Sequence, residues 1–456
     1  MRVSLKILIA AVTSTSLCFA TVTMFGGQND PGIRRGPAGA GQALAGLPPQ
    51  SPELAFFSDP GLSQFTQVEA VTDGLGPRFN LDSCAGCHIF PAVGGSSPAA
   101  DFISPDGTRG NPQVGRQPIM APGSTVPPFL AQNGPVREVR FVRNSNGTPD
   151  GGVHGIFTIA GRSDAPGCAI SQPDFSNTGN MIFRIPTPVF GAGLIESITD
   201  TTIKNNLASD PFPYMKQKLG IKGHVNTNGN DGTVTRFGWK AQNKSLLIFA
   251  GEAYNVEMGI TNENFPQERE EDPNCATNGL AENHTDFANG NGPADIVAFM
   301  GFMRFLDQPT PHCGADVGLD CSSVSRGASI FQNIGCATCH TPSLTTGLSP
   351  VAALNQQKAN LFSDLAVHRM GGLADGVAQG SAGPDEFRTA PLWGLGQRAF
   401  FLHDGRATDL VQAILSHDIP APPGFPASEA HTVIANYFQF LRPTDKQDLL
   451  NFLRSL

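Results

Sequence analysis

The pattern that most constrains this chain is five residues long and occurs twice. Cys84, Cys87 and His88 lie in "SCAGCH" (83–88), and Cys336, Cys339 and His340 lie in "GCATCH" (335–340). With nine cysteines and ten histidines in 456 residues, chance supplies about 0.004 copies of C-x-x-C-H, so two copies demand a chemical cause. Covalent c-type haem is such a cause. Two thiols at i and i+3 add to the haem vinyl groups, and the histidine that follows is thereby held under the iron as proximal ligand. Other readings explain less. A thioredoxin-like pair belongs in a βαβ pattern, which is absent here. A zinc site built from both C-x-x-C pairs leaves the two histidines without a role, and a structural disulfide across each such turn is strained. The expectation is two covalently bound c-type haems with His88 and His340 as proximal ligands.

The compartment agrees. Residues 1–20 begin with Arg2 and Lys6, continue as an apolar stretch and end in small residues at Ala20, the layout of an export signal peptide. The apolar run is short and broken by Thr and Ser, which argues against a membrane anchor. Leu17 before Cys18 argues against lipid attachment. No later segment reaches spanning length, so the mature chain is expected to be periplasmic with no membrane span. Outside the leader and the two motifs stand Cys168, Cys275, Cys313 and Cys321. An even remainder in an oxidising compartment suggests two disulfides, with Cys313–Cys321 as the local pairing. A net charge of −9 without any basic run excludes general nucleic-acid binding.

The pattern of the chain predicts a mainly α fold of two cytochrome c-like haem domains. The first, residues 21–308, is enlarged by a loop-rich insertion at about 90–190 with some β-hairpin, including "REVRFVR" and "GIFTIAGR". A turn-rich linker over 309–325 leads to the second domain, 326–456. Ile296, Phe299, Met300, Met303 and Leu306 fall on one face of a helix over 294–306, and in such a stripe the methionines read as packing before ligation. Ala328 and Phe331 share a short helix that runs into the second motif. Ile434, Tyr437, Phe438 and Leu441 mark another face, and Leu449, Leu450, Leu453 and Leu456 a third, started by a Thr444–Gln447 capping box.

The iron's other axial position separates carriers from catalysts. In "HDGRATDLVQAILSH", Thr408 can cap a helix that places Leu410, Ile414 and His417 at i, i+4 and i+7, so His417 projects from the apolar face where a haem would lie. The rivals are His368, Met370 and His403.

Two C-x-x-C-H motifs with "AFFLHDGRATDLVQAIL" resemble the bacterial di-haem cytochrome c peroxidase superfamily. "GPRFNLDSCAGCHIFPAVGG", "GLIESI", "TRFGWKAQNKSLLIFAGEAYNVEMGITN", "HRMGGLAD" and "FRTAPLWGLGQRAFFLHDGRA" resemble its di-haem oxidoreductase branch, often labelled thiol oxidoreductase-like. The resemblance implies catalysis at the N-terminal haem and electron relay at the C-terminal one. In similar peroxidases a methionine follows HDG as sixth ligand, where this chain has His417. Bis-histidine ligation lowers the potential relative to His/Met. The resemblance further implies Trp239 between the haems, with Trp393 structural, and Glu257 in "NVEMG" as general acid/base. Phe249 stands where the peroxidases carry a pocket glutamine, which suggests a drier pocket. Their removable distal histidine is matched either by His154 or by an open iron, since no histidine lies between His88 and His154. Glu196 is a further pocket candidate that capping or pairing would equally explain. A calcium ion between the domains is a feature of similar peroxidases.

The function expected is peroxide reduction, or peroxide- or oxygen-dependent oxidation of a small-molecule substrate, with a periplasmic electron donor or acceptor as partner. The alternatives are a non-enzymatic electron-transfer cytochrome with both irons six-coordinate, and a haem-containing binding or sensing module.

Overall fold

A computed structural model describes residues 28–115, 125–144, 146–148, 155–159, 170–210, 214–268, 275, 281–290 and 292–456. The leader, His154 and Cys168 lie outside the described residues. Two helices anchor the first half. α1 (Leu246–Met258) starts where Ser245 accepts a hydrogen bond from the Ile248 amide, and stops at Gly259. Gly259 has φ +74°, and a Cβ there would meet the Arg78 carbonyl at 2.5 Å, so only glycine closes this end against the segment that leads to the first C-x-x-C-H turn. α2 (Asp295–Phe305) buries Ile296, Phe299 and Met303 as its spacing predicts, with Leu306 just beyond it, and buries Phe302 as well, while Met300 is half-buried. Aromatic rings lock the packing: Tyr254 meets Phe299 edge-on at 5.0 Å, and Phe302 stacks on Phe57 at 5.3 Å.

The second half is built on α3 (Cys321–Asn333), α4 (Leu410–Ser416), α5 (His431–Phe440) and α6 (Pro443–Ser455). α3 is longer than a short lead-in. Asp320 caps it by accepting from the Ser322 and Ser323 amides at 3.1 Å each. It crosses α6 so closely that a Cβ on Gly327 would lie 2.0 Å from the Asp448 carbonyl. That contact lets Phe331 reach the core formed by Leu449, Leu450, Phe452 and Leu453. Each such side chain taken from water contributes about 1.5–3 kcal/mol. Three local expectations need correction. α4 is capped by Asp409, not Thr408, because an ionised carboxylate accepts from the Gln412 amide at 2.7 Å and also favours the helix dipole. α6 starts at Pro443, with Asp445 accepting from the Arg442 amide, so the box lies upstream of Thr444. Phe438 is exposed, its ring lying edge-on against Tyr437 at 5.6 Å.

The insertion is not a self-contained hairpin. β2 (Glu138–Phe141), from "REVRFVR", pairs antiparallel with β4 (Met181–Arg184), while β3 (Phe157–Thr158) pairs with β1 (Arg78–Phe79), just before the first C-x-x-C-H turn. It is therefore stitched onto the region of Cys84. The halves are joined by a buried cluster in which Arg184 and Lys240 meet Asp375 at 2.7 and 2.9 Å. The segment from Asn29 to Arg34 also lies against the second half, with Asp30 paired to Arg454 and the Arg34 amide bonded to Gly396. Cys313 and Cys321 form the expected disulfide, which falls in the 309–325 stretch and runs directly into α3. Cys275 is also disulfide-bonded. Among the described residues no helix is long and apolar enough to cross a membrane.

Candidate functional site: two cavities joined by a tryptophan

Each C-x-x-C-H turn opens into a cavity, one of about 160 Å³ and one of about 210 Å³. None of the four motif cysteines is in a disulfide. His88 and His340 are posed alike. His88 Nδ1 lies 3.1 Å from the Gly95 carbonyl and His340 Nδ1 lies 3.0 Å from the Phe362 carbonyl. A carbonyl only accepts, so Nδ1 carries the hydrogen and Nε2 is left with its lone pair. Burial holds both imidazoles neutral by pushing them down to about 4. A neutral, oriented imidazole with a free nitrogen is what an iron ligand requires.

The second cavity has a matching partner. His417 follows α4 and turns its Nδ1 onto the Ala413 carbonyl at 2.8 Å, one of the last-turn carbonyls that a helix leaves unsatisfied. Its Nε2 is thereby free, and burial lowers its basicity. The His340 and His417 rings are 6.5 Å apart between centres. Two metal–nitrogen bonds of about 2 Å, with the distance from each nitrogen to its ring centre, span about 6 Å, so one metal ion fits between them. The rivals are placed differently. His368 is engaged at both nitrogens, by Asp364 at 2.9 Å and Glu429 at 2.9 Å. Burial opposes a charge on it, but Cys339 and Asp364 outweigh that and raise its pKa. His403 stacks on Phe387 at 4.3 Å, and Met370 packs beside Leu373 and Phe387.

The donor set is suited to haem for a further reason. Arg388 and Arg398 line the second cavity with no carboxylate partner among the described residues, and burial pulls each down to about 10. Among the described residues Arg398 Nε has no hydrogen-bond partner. Buried guanidinium groups need anions, and haem brings two propionates.

The first cavity has a different wall. Among the described residues His88 is the one histidine that lines it, together with Met303, Trp239, Phe249, Glu138 and Glu257. Phe249 stacks on Phe237 at 5.8 Å. Glu257, at the end of α1, accepts from Asn80 Nδ2 at 3.1 Å and is in hydrogen-bonding contact with Glu138. Burial, then the Glu138 charge, raise Glu257 well above the carboxylate range. Burial also opposes ionisation of Glu138, but Arg140, 3.2 Å away, more than offsets it. Glu138 is the site residue that sequence reasoning passed over. Its signal was an acid alternating with arginines in a strand. Trp239 is the one described residue that lines both cavities, its indole N–H donating to the Ile185 carbonyl at 3.0 Å and its own carbonyl accepting from Arg388.

Other candidates have structural work. Glu196 pairs with Arg304 at 2.7 Å and accepts from the Leu246 amide. Trp393 is buried in the first-half core. His154 lies outside the described residues. Among those residues no group of three or more His, Cys, Asp or Glu is placed to hold a metal ion, so calcium gains no support.

Comparison with known proteins places this arrangement. Residues 155–456 match the family described as "Di-haem oxidoreductase, putative peroxidase", a span that holds the second motif and not the first. No curated protein matches the chain. Among solved structures, hydrazine synthase of Kuenenia stuttgartiensis is similar at 21% identity and TM-score 0.24, covering 36% of this chain and 55% of that one. A MauG-like protein associated with microbial copper homeostasis matches at 15% identity and TM-score 0.28, over 59% of this chain and 90% of that one. The diheme peroxidase BthA from Burkholderia thailandensis also matches at 15% and 0.28, over 66% and 90%. Likenesses so distant transfer nothing to this chain. The family match does: the chain belongs to the di-haem oxidoreductases.

Proposed function

We propose that this protein is an exported, periplasmic di-haem oxidoreductase that reduces peroxide, or uses peroxide or oxygen to oxidise a second substrate, in its first cavity. The observation that carries this reading is the asymmetry of the two cavities: His340 faces His417 at 6.5 Å, whereas His88 shares its cavity with the acid Glu257. Haem held at Cys84 and Cys87 and at Cys336 and Cys339, in a domain on each side of the 309–325 stretch, would supply reversible one-electron chemistry and a place for a small ligand. The chain's own residues do the rest. His88 Nε2 and His340 Nε2 are the proximal donors, and His417 closes the second site. Glu257 holds a proton at rest and delivers it to the leaving oxygen of a bound peroxide. Phe249 and Phe237 keep that wall apolar, and Trp239 bridges the two cavities as the route for electrons.

Optical and electron paramagnetic resonance spectra of the purified holoprotein, with and without cyanide, test the reading. One high-spin centre that binds cyanide beside one low-spin centre that ignores it is the expected result. Two low-spin centres indifferent to cyanide in both redox states would make the protein an electron carrier.

A further inference from the structure

Glu138 and Glu257 are far apart in sequence and meet because β2 and the end of α1 both face the first cavity. Both line the first cavity, and their carboxyl groups are in hydrogen-bonding contact. Ionised carboxyl groups have only acceptor oxygens, so this contact exists only while one of the two carries a proton. The neighbours decide which. Arg140 Nε is 3.2 Å from Glu138 Oε1, and Arg184, the ladder partner of Glu138, adds a second positive charge. Glu257 instead receives the neutral amide of Asn80 at 3.1 Å, and although Arg140 also acts on it, the charge of Glu138 outweighs that cation.

We propose that Glu138 is a positioning residue for Glu257: it stays ionised on Arg140, accepts the Glu257 O–H, and so fixes the protonation and the direction of the acid in the first cavity. This rests on the reading of Glu257 as proton donor and extends it to a residue supplied by the insertion. When Glu257 gives its proton to a leaving oxygen, two negative charges stand side by side. That repulsion draws the next proton from solvent back onto the pair, which therefore works as a one-proton unit.

Infrared spectroscopy of the holoprotein in H2O and D2O reads the shared proton directly. The wild type should show a protonated-carboxyl stretch at neutral pH that is missing from Glu257→Gln. Glu138→Gln removes the like charge, and the midpoint at which the band disappears should fall by about one pH unit or more. Glu138→Asp keeps the charge and should keep the midpoint close to wild type. Should Glu138→Gln fail to fold, Arg140→Gln gives the opposite reading: without the cation the pair binds its proton more tightly and the midpoint should rise. An unmoved midpoint in whichever of these variants folds, or a wild type with no Glu257-dependent band, would overturn the assignment. No turnover is needed. A pair that titrates as stated in a protein that reduces no peroxide would sink the proposed function and leave the assignment intact.

Discussion

The two cavities begin from the same five-residue turn and the same pose, a buried histidine with its Nδ1 on a carbonyl, and then part company. The second is closed by groups from its own half: His417 from the end of α4, and Arg388 and Arg398, which await anions. The first is walled by the insertion and by α1, which bring an acid pair rather than a second histidine. One turn thus serves two purposes, and what comes to face it decides which.

That contrast can be broken in order of effect. Glu257→Gln removes the proton donor of the first cavity, and peroxide turnover should fall by about 10²–10⁴-fold while cyanide binding persists. A variant that turns over normally would leave the acid pair without a role. In the second half, Leu450→Ala opens a cavity under α3 and α6, where Leu450 is fully buried. A loss of about 2–5 kcal/mol is expected, read by denaturant unfolding of the second half, with hydrogen exchange along α1 unchanged.

His417→Met tests whether the paired histidines set the potential. Exchanging imidazole for thioether should raise the midpoint of that centre by on the order of 100 mV, within the roughly 0.8 V that axial ligands span. A potentiometric titration with no shift would mean that His417 is not bound. Asp409→Ala, which deletes the cap of the same helix, should cost about 0.5–2 kcal/mol and leave spectra unaltered.

Acidity gives the subtlest contrast, because the two regions respond with opposite sign. Beside the first cavity Glu69 accepts from Tyr254, and burial, reinforced by Asp295, raises it to about 7. The native state then binds more protons than the unfolded one between pH 4.5 and about 7, so this group weakens the fold as pH rises through that window. Beside the second cavity burial lowers His403 to about 4. There the unfolded state binds more protons between pH 6.5 and about 4, so stability is lost as pH falls. Hydrogen exchange at pH 5 and 6.5 should protect the two regions in opposite order, and Glu69→Gln should flatten the response of the first.

Much of this was legible because the signals are local. A C-x-x-C-H turn carries its ligand within five residues, and the α2 and α6 faces repeat their apolar residues at helical spacing. His417 could be picked out on the same basis, although its helix starts one residue later than Thr408 implied. Glu138 could not. A glutamate among arginines in a strand looks solvated until the strand is seated. His368 shows the reverse: it was a rival to His417 by position, and Asp364 and Glu429 take both its nitrogens.

By itself the sequence determined that two histidines would each follow a pair of thiols, which helices would carry apolar faces, and that the chain would resemble a di-haem oxidoreductase. Those are properties of neighbours along the chain, set by spacing and side-chain type. Only the tertiary structure decided which cavity received a second imidazole and which an acid pair, that the insertion supplies a wall of the first site, and that Trp239 touches both. Such choices depend on contacts between segments far apart in the chain, and no local pattern records how two distant surfaces are brought together and buried.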